Sequence, residues 1–253
     1  MSREATGSGT RAPRRPKAAL PRPAEPVVVL TRCTPFMRLL AGVFRFLFRA
    51  VARVRLEGLE RAPLGGPLIV VANHTTNADP PLIAAWLQPA LGRPLQFMAK
   101  EQLFVPAFRP ILRMYGAIFV RAGGSDVEAY RAGLTVLRGG GVVAIFPEGT
   151  RSVDGALAEA RVGVALLAAR SGAPILPVGV SGGQRLLPRT ARLPRFGARL
   201  TIRVGEPFTL VLDPTLERRA AANAATETIM GRIARLLDPA QRGRWGSGQT
   251  GSA

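Results

Sequence analysis

The sequence is poor in the residue types from which most protein metal sites and cross-links are built. Its 253 residues include one histidine, His74, and one cysteine, Cys33. A single cysteine cannot form a disulfide within the chain, and one cysteine with one histidine cannot supply the ligands of the common zinc sites. We therefore expect neither an internal disulfide nor a metal centre.

Acidic residues and lysines are also scarce. The chain has 16 acidic residues against 35 basic ones, and of the basic residues only Lys17 and Lys100 are lysines. The resulting formal net charge of +19 favours a polyanionic partner, such as an anionic membrane or a nucleic acid. An arginine-rich chain with abundant Ala, Gly and Pro is also what a GC-rich genome produces, so the charge by itself does not establish such a partner.

Long uninterrupted apolar runs are missing, which argues against a membrane-spanning helix. Residues 36–54, FMRLLAGVFRFLFRAVARV, show a different pattern. Arg38, Arg45, Arg49 and Arg53 fall within about 80° on one helix face, and apolar residues occupy most of the remainder. This pattern predicts a helix in the membrane interface, with its arginines at lipid phosphates. The alternative is a helix that packs on the domain and keeps its arginines solvated.

Composition and periodicity divide the chain into four regions. Residues 1–33 are rich in Pro, Gly, Ser and Arg, which predicts a disordered basic tail without a convincing secretory signal. Residues 34–54 contain the amphipathic helix, residues 55–240 form one domain, and residues 241–253 form a flexible tail.

Short apolar segments alternate with amphipathic ones between residues 55 and 240. Strands are predicted at 68–71, 95–98, 117–120, 142–146, 175–180 and 200–204. Helices are predicted at 80–87, 103–114, 125–139, 157–170 and 216–237, the third beginning with a capping box at Ser125 and Glu128. This alternation predicts an α/β fold with its site at strand ends.

The only histidine lies in a polar turn after the first of these strands, in VVANHTTNADPPL (70–82). Asp79 follows His74 by five residues. A carboxylate that binds one imidazole N–H selects the tautomer in which the other nitrogen accepts a proton, and it stabilises the imidazolium that forms. Asp79 before two prolines is also typical of a helix N-cap, and the two roles are compatible.

A second polar turn, FPEGTRS (146–152), follows another apolar strand. Its glycine permits close backbone approach to a ligand, and its arginine is a planar fork for phosphate. By itself the segment also fits a surface turn with a Glu–Arg pair. Two further segments complete the series: GAIFVR (116–121), and PILPVGV (174–180), in which Pro177 indicates a sheet edge or the wall of a substrate tunnel.

In order and spacing these segments resemble the four motifs of the glycerolipid acyltransferases, the 1-acylglycerol-3-phosphate O-acyltransferase group. The match comprises the NHx4D box at Asn73, His74 and Asp79, the EGTR box at Glu148, Gly149, Thr150 and Arg151, and the proline motif at Pro177. Lys100 stands where the family commonly has a lysine, and Arg161-x-Gly163 is similar to its Lys/Arg-x-Gly step. The resemblance spans about residues 55–210. It implies a single glycerolipid-acyltransferase-like α/β domain, a mixed sheet flanked by helices.

The resemblance also implies a reaction. His74, oriented by Asp79, would deprotonate the free hydroxyl of a lysophospholipid, which attacks acyl-CoA or acyl-carrier protein directly. The default acceptor is 1-acylglycerol-3-phosphate, giving phosphatidic acid, although other lipid acceptors would use the same boxes. No cofactor is implied. The substrate-binding residues would be Lys100, Arg121, Glu148, Gly149, Thr150, Arg151 and Pro177.

Partners and location follow from the same resemblance and from the amphipathic helix. We expect a peripheral or monotopic protein on the cytoplasmic face of an anionic membrane, with acyl-carrier protein as a possible donor and no nucleic-acid partner. No recognised nucleic-acid motif accompanies the basic charge.

One motif departs from the family pattern. The family usually carries arginine six residues after the glycine, at position 122, whereas Ala122 stands there and Arg121 precedes it. A one-residue shift on a regular strand turns a side chain to the other face. Arg121 therefore reaches the phosphate only if a bulge or a strand end intervenes.

Three other interpretations compete with acyl transfer. GVSGG (179–183) fits the G-x-S-x-G nucleophile elbow of hydrolases, but that fold needs a histidine after the serine and His74 precedes it. A non-catalytic basic protein that binds membranes or nucleic acid would explain the charge but not the ordered motifs. A degenerate acyltransferase that only binds lipid is the third, against which the intact His74–Asp79 pair argues.

Overall fold

The computed structural model describes residues 27–121, 127–188, 190–191 and 193–246. Within these ranges one seven-stranded sheet is covered by helices on both faces. The strands are β1 (Ala52–Glu57), β2 (Leu68–Ala72), β3 (Leu95–Lys100), β4 (Ile118–Val120), β5 (Val142–Ile145), β6 (Ile175–Ser181) and β7 (Ala198–Val204). The helices are α1 (Pro35–Val51), α2 (Asp79–Leu91), α3 (Arg109–Met114), α4 (Val127–Arg138), α5 (Gly163–Ser171), α6 (Gly183–Leu186) and α7 (Arg218–Arg235).

The strand order is β1-β7-β6-β2-β5-β3-β4. Strands β2 to β6 are parallel, whereas β7 runs antiparallel to β6 and β1 runs parallel to β7. The predicted single α/β domain with a mixed sheet is confirmed. Because β2 to β6 all end at the same side of the sheet, we call that side the carboxyl edge; β1 and β7 start there.

Burial explains the sequence patterns of the strands. Every residue of β2 and β6 is buried, since both strands lie in the middle of the sheet under helices on each side, which calls for continuous apolar runs. Alternate residues of β7 are buried, as its alternating sequence predicts. One face of the sheet packs against α1 and α2, and the other packs against α4, α5 and α7.

The predicted helix over residues 36–54 extends too far. Helix α1 ends at Val51, and Ala52 has extended backbone angles (φ −144°, ψ 155°) because it begins β1, which pairs with β7. Arg53 therefore belongs to a strand, and three of the four arginines remain on the helix. Periodicity did not reveal this boundary because the apolar pattern continues without a break from the helix into the strand.

The helix predicted over 103–114 is also shorter than expected. A 3₁₀ turn covers Glu101–Leu103, and the α-helix begins only at Arg109. Pro110 stands in the first turn, where a missing N–H is tolerated, whereas Pro106 cannot donate within a helix. The two prolines therefore separate the segment into a turn, a loop and one short helix.

Parts of both predicted tails are packed on the domain. The buried amide of Gln96 accepts a hydrogen bond from Leu30 N–H and donates one to the Val28 carbonyl, which fastens the segment before α1. Residues 241–246 form turns, and Gln241 is only 3% exposed. The predictions for residues 1–26, for residues 247–253 and for a cap at Ser125 fall outside the described residues.

Candidate active site

The polar segments singled out in the sequence meet at the carboxyl edge. Strand β2 leads into the His74 turn, and the neighbouring strand β5 leads into residues 146–152, so the two turns touch. Lys100 ends β3 and Arg121 directly follows β4, which are the next two strands along the same edge. The sheet order therefore brings four distant parts of the sequence together.

His74 and Asp79 form a hydrogen-bonded pair. Nδ1 of the imidazole lies 3.0 Å from Oδ2 of Asp79, and the aspartate side chain is completely buried whereas the histidine side chain is 17% exposed. The same Oδ2 accepts hydrogen bonds from the backbone N–H groups of Thr75 (2.6 Å) and Thr76 (2.7 Å). An imidazole whose Nδ1–H donates to a carboxylate presents the lone pair of Nε2, which is the arrangement of a general base.

Asp79 is the first residue of α2 rather than its N-cap. Ala78 occupies the N-cap position without a side-chain cap, and the Asp79 carboxylate binds the preceding turn instead. A carboxylate in the first turn of a helix is also stabilised by the helix dipole. The predicted N-cap role of Asp79 is therefore wrong, because its carboxylate binds the histidine turn instead and also contacts His74.

An aromatic ring packs against the face of the imidazole ring. The His74 and Phe146 rings are stacked, with centroids 4.1 Å apart and planes inclined by 17°, and Phe97 stacks behind Phe146. Phe146 therefore restricts the rotation of the ring that Asp79 holds at one nitrogen. An aromatic residue two positions before Glu148 was the only sign of this role in the sequence.

Glu148 supports the backbone of the histidine turn. Its Oε1 accepts the N–H of His74 at 2.7 Å, its Oε2 accepts the N–H of Ala158 at 2.9 Å, and the residue is only 5% exposed. The N–H of Ser152 in turn donates to the His74 carbonyl at 2.8 Å. The EGTR segment is thus no surface turn, because its acid is buried against the turn that carries the base.

Burial raises the pKa of the Glu148 carboxyl to about 7. The two backbone N–H groups act in the opposite direction and lower this pKa, whereas the negative charges of Asp79 and Asp154 raise it further. An unfolded chain would release this proton at pH about 4.5. The folded protein therefore binds more protons than the unfolded chain between these two pH values.

We expect the contribution of Glu148 to the free energy of unfolding to be largest below pH 4.5 and to fall by about 3 kcal/mol as pH rises to 7. Urea unfolding of wild type and Glu148→Gln at pH 5 and pH 8 measures it. The stability advantage of wild type over the variant should shrink with rising pH. A pH-independent difference contradicts the assignment, and Glu159→Gln, at an exposed carboxylate nearby, is the control.

Two arginines flank the turn after β5. Arg151 is half-buried, and the Arg161 side chain lies against Gly149, where a Cβ atom would come within 3.1 Å of its Nε. Gly149 also has φ +67°, a conformation that favours glycine. Thr150 is exposed beside them.

The helix predicted from residue 157 starts only at Gly163. The N–H groups of Arg161 and Ala158 donate to the Pro147 carbonyl and to Glu148, so this segment is bound to the turn after β5 instead of forming a helix.

Lys100 and Arg121 extend the positive charge along the edge. Neighbouring strands lie about 4.8 Å apart, so β3, which ends with Lys100, lies roughly 10 Å from β2. Strand β4, which Arg121 follows, lies roughly 14 Å from β2. Lys100 is exposed, and Arg121 forms an ion pair with Glu128 at 3.4 Å. Because β4 ends at Val120, Arg121 stands beyond the strand and its direction is not set by strand alternation; position 122 lies outside the described residues.

Pro177 lies inside the sheet. It is buried in β6 between β2 and β7, opposite Val71, and its carbonyl accepts the N–H of Gly205 at 2.9 Å. The interpretation of Pro177 as a residue of an outermost strand is therefore wrong, because strands flank β6 on both sides. Its described contacts run to neighbouring strands rather than to the His74 turn.

The nucleophile elbow of a hydrolase does not form. Ser181 is the last residue of β6 rather than the tip of a turn, and its hydroxyl accepts the N–H of Asp238 at 3.1 Å. Asn73, by contrast, has a clear role: its amide exchanges two hydrogen bonds with the backbone of Val180, at 2.8 and 2.9 Å. Asn73 thereby ties the start of the histidine turn to β6.

Comparison with known proteins finds relatives that are named acyltransferases. A chloroplast protein of Arabidopsis thaliana named 1-acyl-sn-glycerol-3-phosphate acyltransferase is 29% identical over 140 residues, 54% of this chain and 38% of the relative. A Pseudomonas aeruginosa protein of the same name is 29% identical over 144 residues, 55% of this chain and 54% of the relative. The chain thus spans about half of the length of these curated relatives or less.

A solved structure supports the fold independently. The crystal structure of the 1-acyl-sn-glycerophosphate (LPA) acyltransferase PlsC from Thermotoga maritima superposes with a TM-score of 0.63 at 27% identity, covering 79% of this chain and 78% of that one. The sequence model of the Acyltransferase family matches residues 53–181, more than half of the chain, including the His74–Asp79 pair and residues 148–151. The protein therefore belongs to the acyltransferase family.

Proposed function

We propose that the protein transfers a fatty acyl group from acyl-CoA or acyl-carrier protein to the free hydroxyl of 1-acylglycerol-3-phosphate, giving phosphatidic acid. The observation that carries this proposal is the His74–Asp79 pair, 3.0 Å between Nδ1 and Oδ2, at an edge that also carries Arg151. The relatives named above are acyltransferases for this acceptor, which supports the same choice.

In the proposed reaction Nε2 of His74 takes the proton of the acceptor hydroxyl as its oxygen attacks the thioester carbonyl. Asp79 stabilises the imidazolium that forms. The new C–O ester bond forms as the C–S bond breaks, and the leaving thiolate takes the proton back from the imidazolium. Atoms and charge balance in this direct transfer, and no acyl-enzyme is needed.

The acceptor phosphate is assigned to the cationic side of the site. Arg161 lies against Gly149, Arg151 follows Gly149 by two residues, and a planar guanidinium pairs well with phosphate oxygens. Lys100 and Arg121 lie further along the edge, where they extend the same positive surface. Glu148 acts through the backbone of the histidine turn, as its two N–H contacts indicate.

The test is a matrix of acceptors and donors. Purified protein is incubated with lysophosphatidic acid, glycerol-3-phosphate or lysophosphatidylglycerol, each with acyl-CoA or acyl-carrier protein, and the products are identified by lipid mass spectrometry. We expect phosphatidic acid as the dominant product. A dominant product from another acceptor, or no acyl transfer with any pair, contradicts the proposal.

Helix α1 supports a membrane surface as partner. Among the described residues no helix has the length and apolarity needed to cross a bilayer. Helix α1 packs on α2 and buries Met37 and Phe48, whereas its outward face exposes five large apolar side chains: Phe36, Leu39, Val43, Phe46 and Leu47. At 100° per residue, Arg38, Arg45 and Arg49 lie between these two faces. This arrangement fits anionic lipid headgroups beside an inserted apolar face.

The helix is also well placed for access to lipid. Because β1 starts at the carboxyl edge, the preceding end of α1 lies at the edge that carries His74. A bilayer that contacts the outward face of α1 would therefore adjoin the site. We propose that the protein binds an anionic membrane through α1.

Phe46→Glu should weaken co-sedimentation with vesicles that contain phosphatidylglycerol by roughly 10- to 100-fold, the effect of losing one inserted Phe side chain. Phe46 is 73% exposed. Leu64→Glu is the matched control, since Leu64 is 79% exposed in the loop before β2, at the opposite edge of the sheet. Equal vesicle binding by Phe46→Glu and Leu64→Glu would remove α1 from the membrane contact.

A further inference from the structure

The two carboxylates that hold His74 lie on different segments of the chain. Asp79 binds the imidazole at the start of α2, and Glu148 binds the His74 backbone from the turn after β5. Both segments are contacted by parts of the chain that lie beyond the residues matched by the family model. These parts are residues 182–184 and the 3₁₀ turn Pro239–Gln241. The contacts of these parts converge on Gln241.

Gln241 connects two backbone segments through one buried side chain. Its Oε1 accepts the N–H of Gly182, and its Nε2 donates to the carbonyl of Gly155 and to Oε1 of Gln184, each at 3.3 Å. The residue is 3% exposed. Its own carbonyl accepts the N–H of Leu157 at 2.8 Å. A single amide thus joins the loop after Arg151 to the residues after β6.

One path leads from Gln241 to Glu148. The bonds to Gly155 and Leu157 fix the segment whose next residue, Ala158, donates its N–H to Oε2 of Glu148. Oε1 of the same carboxylate accepts the N–H of His74. The position of this segment therefore sets where Glu148 holds the histidine backbone.

A second path leads to Asp79. The bond to Gly182 places Gly183, which packs directly against the histidine turn: a Cβ atom at Gly183 would lie 2.8 Å from Thr75 Oγ1 and 3.1 Å from Asp79 Oδ1. Both oxygens are buried and have no hydrogen-bond partner among the described residues. The Gly183 backbone therefore closes the back of the carboxylate whose other oxygen binds His74.

We propose that Gln241 and Gly183 are positioning residues for His74, acting through Glu148 and Asp79. The inference rests on the proposed acyl transfer for its kinetic readout but not for its spectroscopic one. Because a misplacement of about 1 Å can cost about 100-fold in rate, loosening this connection should lower turnover although neither residue touches substrate.

Gln241→Leu tests the proposal, with Gln96→Leu as the matched control. Gln96 is also buried and also makes three side-chain hydrogen bonds, to Leu30 and Val28 before α1 and to Gly116 before β4. We expect similar losses of melting temperature in the two variants. Only Gln241→Leu should lower kcat by tenfold or more, by the argument above, with KM changed less than about threefold.

The single histidine provides a readout that needs no substrate. Stacking on Phe146 exposes the His74 Cε1 proton to the ring current of that phenyl group, and one histidine gives one such NMR signal. The signal should move in Gln241→Leu and stay at its wild-type position in Gln96→Leu. Wild-type kcat and an unmoved signal in a folded Gln241→Leu protein would overturn the proposal. An inactive wild type would overturn the proposed function while the NMR comparison still decides the positioning role.

Gly183→Ala covers the case in which Gln241→Leu does not fold. The added methyl group would press on Thr75 and Asp79, whereas Gly231→Ala, in the middle of α7, has open space around it. We expect the same loss of kcat and the same movement of the His74 signal in Gly183→Ala, with neither in Gly231→Ala. Wild-type kcat and signal in Gly183→Ala would overturn the proposal.

Discussion

We expect His74→Ala to abolish acyl transfer, which is the largest effect of any substitution proposed. General-base catalysis by a positioned side chain contributes about 10²- to 10⁴-fold, and no second histidine exists in the sequence to replace it. The imidazole is held at Nδ1 by Asp79 and stacked on Phe146, so the alanine variant loses the base without losing the turn, whose backbone bonds to Glu148 and Ser152 remain. Initial rates at saturating acceptor and donor measure the loss in kcat.

The control for this variant lies on the same turn. Asn77 is exposed, and Asn77→Ala should transfer acyl groups at nearly the wild-type rate. His74→Ala should keep its vesicle binding and melting temperature, because α1 and the sheet core are untouched. Normal acyl transfer by His74→Ala would show that the proposed mechanism is wrong.

Asp79→Asn should lower kcat almost as strongly, by about 10²- to 10⁴-fold, because the imidazolium that forms during transfer loses its counter-charge. Asparagine can keep an oxygen at the position that receives the N–H groups of Thr75 and Thr76. Its amide nitrogen then takes the place of Oδ1, which has no hydrogen-bond partner among the described residues. The geometry is thus retained while the negative charge is lost, and kcat and KM measured separately report the effect.

Asp154→Asn makes the same chemical change at an exposed site on the neighbouring loop, and it should leave kcat within about twofold of wild type, as is usual for surface changes. Adding His74→Ala to Asp79→Asn should cost little more than either change alone, because residues that act as one unit are not additive. A fully active Asp79→Asn protein, or additive losses in the double variant, would contradict the proposed pair.

Local pattern predicted several elements of this fold well. The alternation of Leu200, Ile202 and Val204 with polar residues identified β7, and the continuous apolar runs identified β2 and β6, because burial on one or two faces leaves a direct periodic signature. Boundaries were less well predicted where two periodic segments adjoin, as at Val51, or where prolines divide a segment, as around Pro106. Neither case changes local hydrophobicity enough to mark the end of an element.

The candidate site was predictable only in part. His74 and Asp79 are five residues apart and follow a strand, so their pairing within one turn could be proposed from spacing alone. The support from Glu148 could not be predicted, because it depends on β2 and β5 being neighbours. The order of parallel strands separated by some 70 residues cannot be inferred from their local sequence. The interpretation of Pro177 as a sheet edge failed for the same reason: its position depends on β7 returning antiparallel beside β6.

The sequence by itself determined which residues can do chemistry: one imidazole, an acid within its turn, and arginines after a buried strand, since residue type and short-range spacing are sequence properties. Only the tertiary structure decided how these groups are held. The sheet order places the EGTR carboxylate under the histidine backbone, and it brings Gln241, more than 160 residues from His74 in the chain, behind both carboxylates. Such contacts arise from packing between distant segments, which no local pattern encodes.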